Sequence, residues 1–172
     1  MTNGILIDAG IRKAGYADRD SSDYLPFVFA ADGTDAPAGA SLASKASIRY
    51  SDNLNVTFTY DSATRKYYRY EYGEQQIDAA TNEAVSFDNL FILCAASLTY
   101  ETESKKSLDL DMEEGGSGYY LSHGTVTNFT WQRAEDGTMD FYDASGNRLV
   151  VNRGTSYMGF VTAGAKDSIS FR

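Results

Sequence analysis

His123, the single histidine of this 172-residue chain, is its residue best suited to acid–base or metal chemistry. A catalytic histidine needs a nucleophile and an orienting group, and no second histidine exists to complete a metal pair. His123 precedes Gly124, between the strand-like stretches "GYYLS" and "TVTNFTW". A two-residue hairpin turn needs positive φ, which glycine supplies freely and histidine tolerates. We therefore predict that His123 turns the chain.

Acidic residues are the next candidates for chemistry. In "SLDLDMEEGGSG", Asp109, Asp111 and Glu113 share one face of an extended strand, as ligands of a calcium site would. The stretch fails the EF-hand pattern, because Glu114 occupies the place of the turn glycine. Like charges on one face more often form a solvated edge that resists aggregation. We predict no metal site here, and a bulge or tight corner at the glycines.

A carboxylate pair could perform acid–base catalysis, and Asp140 with Asp143 is one such pair. Asp143, however, opens "DASGN", which is typical of a turn. The chain has no GxSxG, HExxH or phosphate-loop pattern. The sequence therefore predicts no catalytic residue and no cofactor.

Aromatic residues form the remaining cluster. Adjacent positions on a strand point oppositely, so they cannot all be core. Exposed tyrosines could form a recognition surface, whereas the alternative is a sheet with ordinary aromatic cross-strand pairs, and the sequence leaves both open. Trp131 could stack on a sugar or a base, but a buried core position is favoured. Cys94, in the apolar run "LFILCAA", is predicted to be a buried strand residue. The tyrosines are Tyr67, Tyr68, Tyr70, Tyr72, Tyr119 and Tyr120.

Composition limits the partners. The net charge is −9, the pI is about 4.5, and no run of basic residues occurs. Nucleic acids and anionic membrane surfaces are therefore disfavoured, and a cationic, neutral or sugar-like partner is easier to accommodate. No stretch is long and apolar enough to span a membrane, and the first residues do not read as a signal peptide.

The elements that must position these residues follow from hydrophobic periodicity. Residues 3–15 predict a short amphipathic helix, and residues 32–44, small and polar, predict a linker or long loop. From Lys45 onwards apolar residues alternate with polar ones, and "NVTFTY" and "KYYRYEY" predict a hairpin. Residues 164–172 are expected to fray. Further strands are predicted at 75–78, 90–96, 107–112, 117–122, 125–133, 139–142, 148–151 and 156–161.

Closely spaced strands with short turns predict an α+β, mainly β fold: a curved or barrel-like antiparallel sheet with a short N-terminal helix. We divide the chain into residues 1–44, a helix and linker left from a preceding module, and residues 45–172, an antiparallel β domain.

Three stretches carry a family resemblance: "FTYDSATRKYYRYEYGEQQIDAATNEAVSFDN", "GSGYYLSHGTVTNFTWQR" and "DFYDASGNRLVVNRGTSYMGFV". Their order resembles the C-terminal module of the YerB-like putative lipoproteins, a domain of unknown function, over roughly residues 45 to 162. His123 stands where that family has asparagine in the turn, and "SYMGF" departs from its pattern. Residues at the family's recurrent positions are Arg69, Asp78, Asn89, Gly118, Trp131, Arg133 and Asp143.

The resemblance implies an extracytoplasmic, lipid-anchored protein of the cell envelope, with the anchoring cysteine and most of an N-terminal module outside this sequence. It brings no established catalytic residues. We expect a non-catalytic module that binds an envelope glycan, a peptide or another envelope protein, without nucleic acid and without inserting into the membrane. The ligand-binding residues we expect are Tyr68, Arg69, Tyr70, Asp78, Asn89, Tyr120 and Trp131.

Two further expectations complete the sequence hypothesis. The alternative function is a hydrolase acting on envelope glycan or peptide, with Asp78 or Asp140 in a cleft. A deep pocket with convergent acids of raised pKa would favour that enzyme, whereas a shallow aromatic surface would favour binding. We also expect self-association through an apolar face left by the missing module, lined by the helix and by Phe27 to Phe29.

Overall fold

The structure is a computed structural model that describes residues 4–15, 27–102, 105–135 and 137–172, and the side chains of 99–108 are not described. The helix α1 spans Gly4–Ala14 and ends at Gly15, whose φ is 70°. Asn3, the first residue of the predicted helix, lies outside the described residues. The strands are β1 Val28–Phe29, β2 Ser41–Leu42, β3 Lys45–Ser51, β4 Leu54–Asp61, β5 Lys66–Glu71, β6 Glu74–Gln75, β7 Ser86–Phe87, β8 Asn89–Thr102, β9 Lys105–Ser122, β10 Thr125–Arg133, β11 Met139–Tyr142, β12 Val150–Val151, β13 Ser156–Thr162 and β14 Ile169–Phe171.

Two six-stranded sheets dominate the described residues. The first has the order β11-β10-β9-β8-β13, with β2 added beside β10. The second has the order β14-β3-β4-β5-β6, with β7 beside β5. Both sheets are open, so the α+β, mainly β class is confirmed without closure into a barrel. Among the described strands, pairing is antiparallel except for β13 with β8 and β1 with β12.

The first sheet is covered on both faces. Leu90 and Ile92 of β8 pack with the inner face of the second sheet, whereas Phe91 and Leu93 pack into a separate aromatic cluster on the other side. A strand buried on both faces needs apolar residues at every position, which explains the continuous run "LFILCAA". Cys94 is buried there as predicted.

The aromatic cluster requires glycine in the neighbouring strand. A Cβ at Gly118 of β9 would lie 2.5 Å from Cζ of Phe129 and 2.7 Å from the carbonyl oxygen of Ile92. The glycine therefore lets the Phe129 ring lie directly against the backbone. Nearby, the register of β9 against β8 shifts between Ala95 and Ala96. This shift is the bulge predicted at the glycines of "SLDLDMEEGGSG".

Two local expectations were wrong. The segment at 164–172 does not fray: a 3₁₀ helix, Ala163–Ser168, leads into β14, which pairs with β3. The ring centroid of Phe27 lies 5.0 Å from that of Phe141, and Phe29 also packs against the aromatic cluster. The two rings therefore do not line an exposed face. Val28 between them is exposed.

The segment predicted as a linker is held along the folded domain. We call residues 30–39 the strap. The backbone N–H of Ala30 donates to the carbonyl of Val151 at 2.9 Å, and that of Gly39 donates to Oγ1 of Thr125 at 2.9 Å. Directly after the strap, β2 pairs with β10. The division of the chain at residue 44 stays a prediction, but residues 27–43 supply strands to the sheets of the later residues.

Candidate functional site

His123 and Gly124 form the two-residue turn between β9 and β10, as the sequence predicts. Their φ angles are 49° and 76°, and Ser122 pairs directly with Thr125. This combination is typical of a type I′ turn. The imidazole nevertheless lies in the walls of two small clefts beside the strap, with volumes of about 200 and 140 Å³. We call these cleft 1 and cleft 2.

A buried polar network supports the clefts from below, and Asn152 is its centre. Its Oδ1 accepts from the backbone N–H of Ala36 at 2.7 Å, and its Nδ2 donates to Oγ of Ser122 at 2.9 Å. Its own N–H donates to the hydroxyl of Tyr120 at 2.8 Å, and that hydroxyl donates to Oδ1 of Asn89 at 2.8 Å. Nδ2 of Asn89 closes the ring by donating to the carbonyl of Asn152 at 2.9 Å. Such a fully satisfied network holds its members in one arrangement.

Charged side chains surround the imidazole. Nη2 of Arg65 lies 2.9 Å from Nδ1 of His123 and 2.8 Å from Oδ2 of Asp35. Because guanidinium only donates, a hydrogen bond from Arg65 requires an unprotonated imidazole nitrogen and so favours the neutral ring, whereas Oδ2 of Asp35, 3.6 Å from Nδ1, favours the charged one. Partial burial and the Arg65 charge lower the pKa of His123 from its usual 6.5, while Asp35 and Asp88 oppose that shift.

The tyrosines of β5 occupy both of its faces. Tyr67 is fully buried, and its hydroxyl accepts from the N–H of Gly124 at 3.1 Å. Tyr68 and Tyr70 point to the outer face, opposite Thr59 and Thr57 of β4. There they line an open groove of about 460 Å³. We call it the tyrosine groove, and its lining residues are Thr59, Tyr60, Asp61, Ser62, Tyr68, Tyr70 and Gln75.

The other predicted ligand-binding residues lie apart from the groove. Asn89 and Tyr120 come together in the network under the clefts. Arg69 forms an ion pair with Glu71 on the same strand. Trp131 is buried in the aromatic cluster and its Nε1 donates to the carbonyl of Ser117 at 3.2 Å, as the core interpretation expects.

Asp78, the remaining member of the predicted set, belongs to a turn. Its Oδ1 accepts from the backbone N–H groups of Ala80 at 2.8 Å and Thr81 at 3.0 Å. These bonds, with Thr81 contributing most, lower the pKa of the carboxyl group. The carboxylate is thereby engaged in fixing the local backbone.

Two other candidate acids, Asp140 and Asp111, each serve a local role. Asp140 forms an ion pair with Arg148 and accepts from the hydroxyl of Tyr142 at 3.3 Å. Asp111 caps its own bulge, where Oδ1 accepts from the N–H of Glu113 at 2.9 Å. Within the described part of the chain, no group of three or more histidine, cysteine, aspartate or glutamate side chains could hold a metal ion.

Comparison with known proteins assigns the family. Residues 46–158 match the family described as "Protein of unknown function (DUF3048) C-terminal domain". The chain belongs to this family. The resemblance noted in the sequence is thereby confirmed.

Two comparisons with a relative from Bacillus subtilis define how much is shared. The chain is 30% identical over 78 residues to "Putative lipoprotein YerB" of strain 168, which is 45% of this chain and 23% of that protein. The crystal structure of the YerB protein superimposes with a TM-score of 0.76 at 22% identity, over 99% of this chain and 54% of that one. The chain therefore spans about half of the solved relative, and the two share a fold. None of the described helices is long and apolar enough to cross a membrane.

Several residues of the clefts were missed by sequence reasoning. Asp35 lies in the stretch predicted as a linker, and Arg65 lies in a turn whose φ is 57°. Asn152 follows the apolar pair of β12, and Ser122 precedes the His123 turn. The sequence feature that could have pointed to Asn152 and Ser122 is a polar residue at the end of a strand. This feature discriminates poorly, because most strands end in this way.

Proposed function

We propose that this domain is a non-catalytic binding module that works outside the cytoplasm and binds a hydroxyl-rich ligand, such as an envelope glycan, in the tyrosine groove. One observation carries the proposal. Tyr68 and Tyr70 lie side by side and half-buried in the groove, and neither hydroxyl has a hydrogen-bond partner among the described residues. Neither hydroxyl is among the described buried atoms that lack a partner, so both reach solvent and can bond to a ligand there.

The chemistry of the groove suits a sugar. Tyrosine offers a large apolar ring with a polar tip at low entropy cost, and a sugar ring likewise combines an apolar face with hydroxyl groups. Thr59, Ser62 and Gln75 add uncharged hydrogen-bonding groups around the two rings. The net charge of −9 disfavours a polyanionic ligand in any case.

The location outside the cytoplasm is supported by the relative. The matching Bacillus subtilis protein is named as a lipoprotein, and lipoproteins are held at the envelope surface by their lipid chains. An envelope glycan would then be within reach of the groove.

The hydrolase alternative has less support. Asp78 serves its own turn and its pKa is lowered, whereas a general acid needs a raised one. Asp140 is paired with Arg148 on the first sheet, while Asp78 belongs to the connection between β6 and β7 of the second. The two acids therefore do not face a common substrate.

The test is calorimetric titration of the folded chain with soluble oligomers of N-acetylglucosamine, with cello-oligosaccharides in parallel. We expect Tyr68→Ala and Tyr70→Ala each to weaken binding at least tenfold. Tyr68→Phe removes one hydrogen bond worth about 0.5–1.5 kcal/mol, a loss of roughly 2- to 10-fold. Tyr142→Phe on the first sheet is the matched control and should bind as wild type. Absence of binding at millimolar oligosaccharide would contradict the proposal.

We also propose that a second copy of the chain covers α1. Ile5, Ile7 and Ile11 of this helix are exposed by 77%, 53% and 40%. Exposed apolar side chains on one short helix favour association. Light scattering should show a dimer that Ile5→Gln with Ile7→Gln disperses, and a monomer at high concentration would contradict this.

A further inference from the structure

Cleft 1 is a second candidate site, separate from the tyrosine groove. It lies between the strap and the β9–β10 turn, and its walls include Asp32, Asp35, Arg65, His123 and Arg153. We infer that cleft 1 binds a small zwitterion, such as a free α-amino acid with a short side chain.

The first argument is the arrangement of charge. Two ion pairs stand in the cleft wall: Arg65 with Asp35 at 2.8 Å, and Arg153 with Asp32 at 3.2 Å. With a neutral imidazole, the four charges cancel. A lone anion or cation that broke an ion pair would leave one of its two side chains without an opposite charge. A zwitterion can exchange one ion pair for two, its carboxylate meeting guanidinium and its ammonium meeting carboxylate.

The second argument is that these pairs are weak enough to rearrange. All four side chains are more than half exposed, from 53% for Arg65 to 90% for Asp32. Exposed ion pairs contribute little stability because water screens them. Opening them to a ligand therefore costs little, whereas the floor of the cleft stays fixed.

The third argument is that this floor is built rather than incidental. Asn152 is only 8% exposed, and its side chain joins the strap to the β9–β10 turn through Ala36 and Ser122. His123 holds the φ of 49° that the two-residue turn requires, and this conformation places the imidazole in the cleft wall.

Size limits the ligand. The volume of cleft 1 is about 200 Å³, below the range of about 300–1,000 Å³ that holds drug-sized molecules. The wall contributed by Ala30, Ala31 and Gly33 consists of small residues. Glycine and alanine should therefore enter, and leucine should bind more weakly.

The experiment is a two-dimensional NMR titration of the whole chain with glycine, alanine and leucine. Acetate and methylammonium, which each carry half of the zwitterion, are the comparison probes. We expect saturable shifts at Asp32, Gly33 and the single imidazole with glycine and alanine, and at least fivefold weaker effects with the other three. Equal shifts with acetate or with methylammonium would overturn the zwitterion, and no saturable shift with any probe would overturn the site.

Variants separate this site from its surroundings. Asp35→Asn and Arg153→Gln should each weaken alanine binding at least fivefold. Arg49→Gln breaks a comparable exposed ion pair with Asp52 on the second sheet and should bind alanine normally. Tyr68→Ala should also leave alanine binding unchanged, so failure of the glycan proposal and failure of this one are distinguishable. Unchanged binding in both cleft variants would refute the assignment.

Discussion

Asn152→Ala is the sharpest test of the network beneath the clefts. The substitution removes the acceptor of the Ala36 N–H and the donor to the Ser122 hydroxyl, both in buried hydrogen bonds. A buried polar group left without a partner costs about 1–3 kcal/mol. Because the neighbouring clefts admit water, we take about 1–2 kcal/mol for each group. The free energy of unfolding should therefore fall by about 2–4 kcal/mol.

The measurement is urea denaturation at pH 7, followed by the fluorescence of the single tryptophan, which is buried in the aromatic cluster. Amide hydrogen exchange at Ala36 should accelerate in the variant, since its acceptor is gone. Asn147→Ala is the control, because that residue is exposed and its side chain has no hydrogen-bond partner in the described part of the chain. A loss below about 0.5 kcal/mol relative to this control would refute the reasoning.

Three further predictions concern single groups. Tyr67→Phe should lower the free energy of unfolding by about 1–3 kcal/mol, because the buried N–H of Gly124 loses its acceptor, whereas Tyr68→Phe on the outer face should be nearly neutral by urea denaturation. The pKa of His123 lies below 6.5 in the folded state, so the unfolded chain binds more protons and stability falls as the pH drops from about 6.5 through the folded value. NMR titration of the imidazole should show that pKa rising in Arg65→Gln, and no rise would contradict the assigned cause. Gly118→Ala should destabilise by about 1–3 kcal/mol, because its Cβ would meet a ring and a carbonyl; a neutral thermal melt would count against that contact.

The sheet could be predicted because its information is local. Alternation of apolar and polar residues in β4 and β5 gives the hairpin, and "HG" between two strand patterns gives the turn. The turn also accounts for His123 without any catalytic partner. The hairpin and the turn both lie where these two local patterns predict them.

Long-range pairing explains what the sequence could not show. β14 is a polar-looking end of the chain, and it becomes a strand only because the edge of β3 is available to it. The strap has few apolar side chains, and its position depends on Asn152, which is 116 residues away from Ala36. Small residues that fit against a distant backbone carry no periodicity, so pattern reasoning assigns them to a linker.

We expect the tyrosine groove and cleft 1 to bind their ligands independently of each other. Strand β5 touches both, since Tyr68 lines the groove while Tyr67 accepts from the N–H of Gly124, beside His123. A ligand in the groove could reach cleft 1 only by moving β5, but the Tyr67 ring is fully buried in a packed core. Allosteric coupling of 1–3 kcal/mol would change affinity about 5- to 150-fold. We expect saturating oligosaccharide to change the affinity for alanine less than twofold in NMR titrations. A larger change would mean that β5 has two arrangements, and the packing argument made for Tyr67 would then be wrong.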